Sequence, residues 1–122
     1  MDSRCKKFAD LLAELHPRLK NVCEECYAYW EPDEPPVTVL FSELGDRIFD
    51  EFDNLDVDEK CEIFQSIESA LVSEEEPLST AVATGLVEAM ASKCFSQEER
   101  WKQVEKFLGE SSLKHAKAWI GE

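Results

Sequence analysis

The chain predicts an all-α fold, a compact array of about seven short-to-medium helices packed as antiparallel pairs. Three observations carry this. Apolar residues recur at spacings of three and four almost throughout. The breaks between these runs are short and rich in proline and acidic residues. No two segments read as a convincing strand pair. At 122 residues and 43% hydrophobic composition, the chain has the length of one helical domain, 1–122, and enough apolar surface for a core without staples.

Phe8, Leu11, Leu12 and Leu15 mark a first helix ending near Leu15, and Leu19, Val22, Cys23, Cys26 and Trp30 mark a second. Proline is tolerated in a first turn but breaks an interior, so the second helix opens near Pro17, with His16 as a cap or turn residue. The run EPDEPP, Glu31 to Pro36, cannot continue a helix and makes a rigid acidic loop. Val37-Thr-Val-Leu-Phe has strand propensity. A longer pattern overrides it, because Val37, Leu40, Phe41, Leu44, Ile48, Phe52 and Leu55 form one stripe at helical period. Gly45 weakens that helix by about 1 kcal/mol relative to alanine and invites close packing by a neighbour.

Asp56 and Glu59 predict a capping box, opening a helix that buries Ile63, Phe64, Ile67, Ala70 and Leu71. Glu74-Glu-Glu-Pro77 is the next break. Leu78 to Lys93 is the least amphipathic segment and rich in small residues, which predicts a central helix buried on most sides. Ser96 with Glu99 suggests a second capping box, ahead of Trp101, Val104, Phe107 and Leu108. Gly109 is expected as a left-handed cap, before a last short helix with Leu113, Ala116 and Ile120. The similar lengths of the three middle helices suit stacking of the HEAT type.

Charge is the most uneven property of the chain. Residues 24–76 hold eighteen of the 27 acidic side chains but only two of the 13 basic ones, Arg47 and Lys60, within a formal net charge of −14. Such a field repels nucleic acid and anionic lipid, attracts basic surfaces and strains a compact fold. The longest nearly apolar stretch, Ala81 to Ala91, is too short to span a bilayer, and the first residues lack the apolar run of a secretory signal. Five cysteines cannot pair completely and read as reduced core thiols. A cytoplasmic protein is expected.

A search for chemistry yields little. Cys23-Glu-Glu-Cys26 lacks further ligands at zinc spacing and lies on an apolar helix face. An EF-hand frame starting at Asp56 puts Lys60 and Cys61 where a ligand and the turning glycine belong. Neither His16 nor His115 has a nucleophile nearby in sequence. The chain therefore reads as a non-enzyme without cofactor or metal. Its candidate functional residues are for recognition. Glu43, Asp46, Asp50 and Asp53 step along one helix face, while Glu31, Asp33 and Glu34, and Glu74, Glu75 and Glu76, add two acidic loops. Trp30, with Tyr29 beside it, offers an aromatic anchor at the rim.

The order of landmarks resembles a family of small bacterial helical proteins. The landmarks are His16-Pro-Arg-Leu, Val39-Leu-Phe-Ser-Glu-Leu-Gly-Asp-Arg-Ile, Ile67-Glu-Ser-Ala-Leu, Gly85-Leu-Val-Glu-Ala-Met and Phe107-Leu-Gly-Glu-Ser-Ser. That family is largely uncharacterised, and many of its members resemble immunity proteins encoded beside polymorphic toxins of type VI secretion, Rhs or contact-dependent inhibition systems. The resemblance implies an immunity protein that neutralises a cognate toxin with a basic surface or active-site cleft, without nucleic acid or membrane as partner. The other reading of the same surface is a helical adaptor or regulatory module that binds a protein.

Overall fold

A computed structural model describes residues 1–121. Among them are seven helices and no strand: α1 (Ser3–Leu15), α2 (Pro17–Trp30), α3 (Val37–Asp50), α4 (Val57–Val72), α5 (78–91), α6 (Glu98–Glu105) and α7 (Glu110–Ile120). A 3-10 turn, Phe52–Asn54, links α3 to α4. Helix α5 is composite, with a π-helical stretch, Val82–Val87, between α-helical turns Leu78–Ala81 and Glu88–Ala91.

Local chemistry sets several boundaries. The Asp2 carboxylate accepts the Arg4 N–H at 2.9 Å and opens α1. His16 ends α1 and caps α2 at once: its backbone is extended, its Nδ1 accepts the Arg18 N–H at 3.1 Å, and Pro17 fills the first helical position. Asp56 and Glu59 form the expected reciprocal box, at 2.8 and 3.0 Å.

Three local expectations fail, two of them for a tertiary reason. Helix α3 stops at Asp50, although Phe52 and Leu55 stay buried as the stripe required. The Arg100 guanidinium donates to the carbonyl oxygens of Phe49 and Asp50 at 3.2 and 2.8 Å, satisfying the helix end so that the chain can turn there. Asp53 consequently lies on the 3-10 turn and not on α3. The Ser96–Glu99 box does not form, because α6 starts at Glu98 with Gln97 as its cap and Ser96 one residue outside. Gly109 is extended (φ −72°, ψ 174°) and precedes α7; it is not a left-handed cap. Its missing side chain makes room for Glu68 of α4, whose Cγ and Cδ occupy the space a Cβ would take.

That carboxylate closes α7. Glu68 accepts the N–H groups of Ser111 and Ser112, both at 2.9 Å, and the Ser112 hydroxyl at 2.6 Å. Burial pushes the Glu68 carboxyl up, but these hydrogen bonds outweigh it and leave the group below its ordinary value. A helix N-terminus favours an anion for the same reason.

Helix α5 is the centre, packed against α3, α4, α7 and α1. Val82, Leu86, Val87, Met90 and Ala91 are fully buried, as are Leu40, Phe41, Leu44, Ile48 and Phe49 of α3. The α1/α2 and α2/α3 pairs are antiparallel, as their short connections require. So are α1 and α4, since Arg4 meets Glu76 and His16 meets Glu59. The α3/α5 pair runs in one direction: Gly85 lies on Phe41 and Thr38, Leu86 and Ala89 on Gly45, and Lys93 on Asp46 and Asp50. Because α5 sits between α3 and α4, the three middle helices do not stack in chain order as a HEAT array would.

Glycines make the α3/α5 contact. A Cβ on Gly45 would collide with the Leu86 carbonyl oxygen, and one on Gly85 would lie 2.8 Å from the Phe41 Cβ. The Ser42 hydroxyl donates to the Gly85 carbonyl at 3.4 Å, across the π-helical stretch.

Two stability outcomes are expected. Gly45→Ala gains about 1 kcal/mol of helix propensity, but backbone overpacking costs about 1–3 kcal/mol. The obstacle at Gly45 is a carbonyl that cannot swing aside, so the variant should be destabilised, read as a lower urea midpoint. Glu68→Gln should lose about 1–2 kcal/mol at neutral pH. A depressed carboxyl stabilises the fold above its unfolded value, about 4.3, and that contribution fades as pH falls through the folded value. The gap between wild type and Glu68→Gln should therefore close in acid, as followed by denaturation from pH 7 downwards.

Candidate functional site

The helix directions sort the loops to two ends of the molecule, and charge is handled differently at each. At the first end, the opening turn of α1 lies between the loop after α2 and the loop after α4. The Met1 amino group is 3.1 Å from Glu34, and the Arg4 guanidinium donates to the Glu76 carbonyl oxygen at 3.4 Å. Two acidic segments some forty residues apart in sequence thus become neighbours. Glu31, Asp33, Glu34, Glu74, Glu75 and Glu76 are all exposed, and only Glu34 has an ionic partner among the described residues. Pro35 is buried and pins the first loop to the body.

Tyr29 stands beside this loop with 83% of its surface exposed. Its ring meets Trp30 edge-on, with centroids 5.9 Å apart and planes at 73°. Trp30 itself is half-buried against the core. Trp30, for which an anchor role was expected, therefore lies against the core, and Tyr29 is the ring that faces solvent. Trp30 belongs to the apolar stripe of α2 through Cys26, and Tyr29 lies one position off it, the signal that separates them in sequence.

The α3 acids are not brought to this end. Lys93 Nζ lies 3.3 Å from Asp46 and 3.1 Å from Asp50, and the Arg100 guanidinium lies 3.1 Å from Asp53. Glu43 is exposed but accepts a hydrogen bond from the Cys26 thiol. The second end continues the same pattern, with Arg18 on Glu51 at 3.1 Å and His16 on Glu59 at 3.9 Å, while Arg47 meets Glu25 at 3.7 Å. The acidic face read from the sequence therefore splits into an internally compensated part on α3 and a largely uncompensated part at the loop end. Lys93 and Arg100 lie more than forty residues beyond their partners, so periodicity within α3 carries no trace of them.

The cysteine pair is placed for packing. Cys26 is buried, and burial together with the Glu43 hydrogen bond pushes its thiol up to about 12; burial, with Asp10 nearby, pushes Cys23 up to about 11. Both are neutral thiols near pH 7, a poor state for a nucleophile or metal ligand. Among the described residues, no three His, Cys, Asp or Glu side chains gather closely enough to hold a metal ion. His115 Nε2 pairs with Glu88 at 2.9 Å, tying α7 to α5. No helix among the described residues is long and apolar enough to cross a membrane.

Two open grooves flank α1, about 860 Å³ towards α4 and about 910 Å³ towards α2. Cys23 lines the second groove beside Asp10 and Glu24, and Arg4, Lys7 and Glu75 line the first.

No curated protein and no solved structure matches the chain. One family model, described as a domain of unknown function (DUF7674), matches residues 9–121, nearly the whole chain. On that match, and with an all-helical body whose acidic loops share one end, the protein belongs to the DUF7674 family.

Proposed function

We propose that this protein is an immunity protein that neutralises a cognate bacterial toxin by binding a basic surface on it, with the acidic loop end as the meeting face. The observation that carries the reading is the pooling of Glu31, Asp33 and Glu74–Glu76 at one end, with none of these carboxylates in an ion pair among the described residues. Clustered like charge destabilises a fold, and binding is the situation in which that charge becomes useful. Complementary potential can raise association to about 10⁸–10⁹ M⁻¹s⁻¹, which suits a protein that must reach a toxin before the toxin reaches its target.

The exposed Tyr29 supports the same reading. An aromatic side chain with few rotatable bonds, braced by Trp30, loses little freedom on binding and commonly anchors a protein interface. Asp46, Asp50 and Asp53 are a secondary resource, since a partner would have to compete with Lys93 and Arg100 for them.

Co-expression with the toxin domain encoded beside its gene tests the proposal: the chain should restore growth and co-purify with that domain. Replacing Glu31, Asp33, Glu74 and Glu76 together with lysine should slow association at low salt by about tenfold or more, and the difference should shrink as salt screens the charges. The paired change Asp46→Asn and Asp50→Asn should have a smaller effect. Failure to rescue growth, or an association rate indifferent to salt, overturns the reading, and a non-toxin partner would favour a helical adaptor.

A further inference from the structure

Helix α7 is attached to the body differently from the other helices. Each of α1 to α6 puts at least one large apolar side chain fully or almost fully out of water, as Leu12, Leu19, Phe41, Ile67, Leu86 and Val104 illustrate. The buried residues of α7 are Ser112 and Ala116. Leu113 and Ile120 are half-buried at its edges, and Trp119 keeps 48% of its surface exposed. A serine and an alanine remove little apolar area from water, and hydrophobic stabilisation scales with that area. Polar contacts take up the attachment instead. Glu68 of α4 accepts the Ser111 and Ser112 N–H groups and the Ser112 hydroxyl, and His115 meets Glu88 of α5 at 2.9 Å. Ser112 is the one buried polar residue among the described residues. Gly109, just before the helix, leaves the space in which the Glu68 side chain lies.

We propose that α7 is a strap that lifts from α4 and α5 as a unit while the rest of the fold stays closed, with the Glu68 carboxylate as its latch. The proposal goes beyond the immunity reading, since it concerns a movement of α7 and uses none of the acidic loop residues. Segments with few buried apolar contacts open at a lower free energy than the whole domain. The main contacts of α7 are with α4 and α5, whereas α3 and α5 are interlocked through Gly45 and Gly85. The latch acts on the first turn of α7, where backbone N–H groups have no partner within the helix. Losing it orphans those donors, so release starts at that end. Opening presents the faces of α4 and α5 that α7 otherwise covers.

Amide hydrogen exchange of the full chain at neutral pH, read residue by residue by NMR, tests this. Protection of the α7 amides should be about a hundredfold below that of the most protected amides of α3 and α5. Glu68→Gln should speed exchange throughout α7 by about tenfold. Gly109→Ala, whose Cβ displaces the Glu68 side chain, should also speed it, through a different residue. The decisive variants lie far from the strap. Gly45→Ala and Val22→Ala weaken packing that the closed and strap-open forms share, so they should speed the α3 and α5 amides and leave those of α7 unchanged. Equal protection of α7 and the core overturns the proposal. So does acceleration of α7 by Val22→Ala as large as that of the core, or indifference of α7 to Glu68→Gln. The immunity proposal is independent of all these outcomes, because it is read with the toxin domain and the acidic loops.

Discussion

The close approach of α3 and α5 is the contact on which the rest of the molecule depends. Gly45 and Gly85 remove the two Cβ atoms that would hold these helices apart, so Leu86 and Phe41 reach the facing backbone. Dense packing follows, with the inward residues of both helices fully out of water. Gly85 lies within the π-helical stretch, where the wider turn displaces the backbone and Ser42 meets its carbonyl. With α5 held there, α4, α7 and α1 have only its remaining sides to cover, and the single-layer order of a stacked array is unavailable.

The same contact decides where charge is neutralised. Since α3 and α5 run in one direction, the residues after α5 arrive at the end of α3, and Lys93 and Arg100 are delivered to Asp46, Asp50 and Asp53. Arg100 contributes more than its charge: its guanidinium takes up carbonyl groups that the last turn of α3 leaves without partners. At the opposite end Glu31, Asp33 and Glu74–Glu76 have no ion pair among the described residues, and the two loops keep their acidity. Exposed pairs of this kind each add at most about 1 kcal/mol. Their larger consequence is a molecule whose negative field is directional.

Much of the fold was legible because its cues are local. His16 followed by Pro17 can only end one helix and begin another, and Asp56 with Glu59 satisfies its own helix start whatever packs above it. The segment from Leu78 was recognisable as central because no polar face interrupts it, and Gly45 was recognisable as a point of close approach. Two of the three errors lie where a distant residue intervenes. Gly109 reads as a helix stop until Glu68, some forty residues earlier, is seen to fill the space beside it. Ser96 looks like a cap only if the helix starts one residue earlier than it does, and Asp53 looks like part of α3 only if Arg100 is left out.

Within the candidate site the division is the same. Sequence alone established the helical class, the proline-stiffened acidic loops, the surplus of negative charge and the stripe that buries the core face of α2, because each follows from neighbours within about one helical turn. Tertiary structure alone decided which carboxylates are answered by a cation, that the two acidic loops share one end, that Tyr29 and not Trp30 faces solvent, and that α1 and α4 flank an open groove. Periodicity specifies which side of a helix turns inward; it holds no information about which helix lies beside it or in which direction that helix runs. Charge compensation acts through space between such neighbours, and it exists only once they have packed.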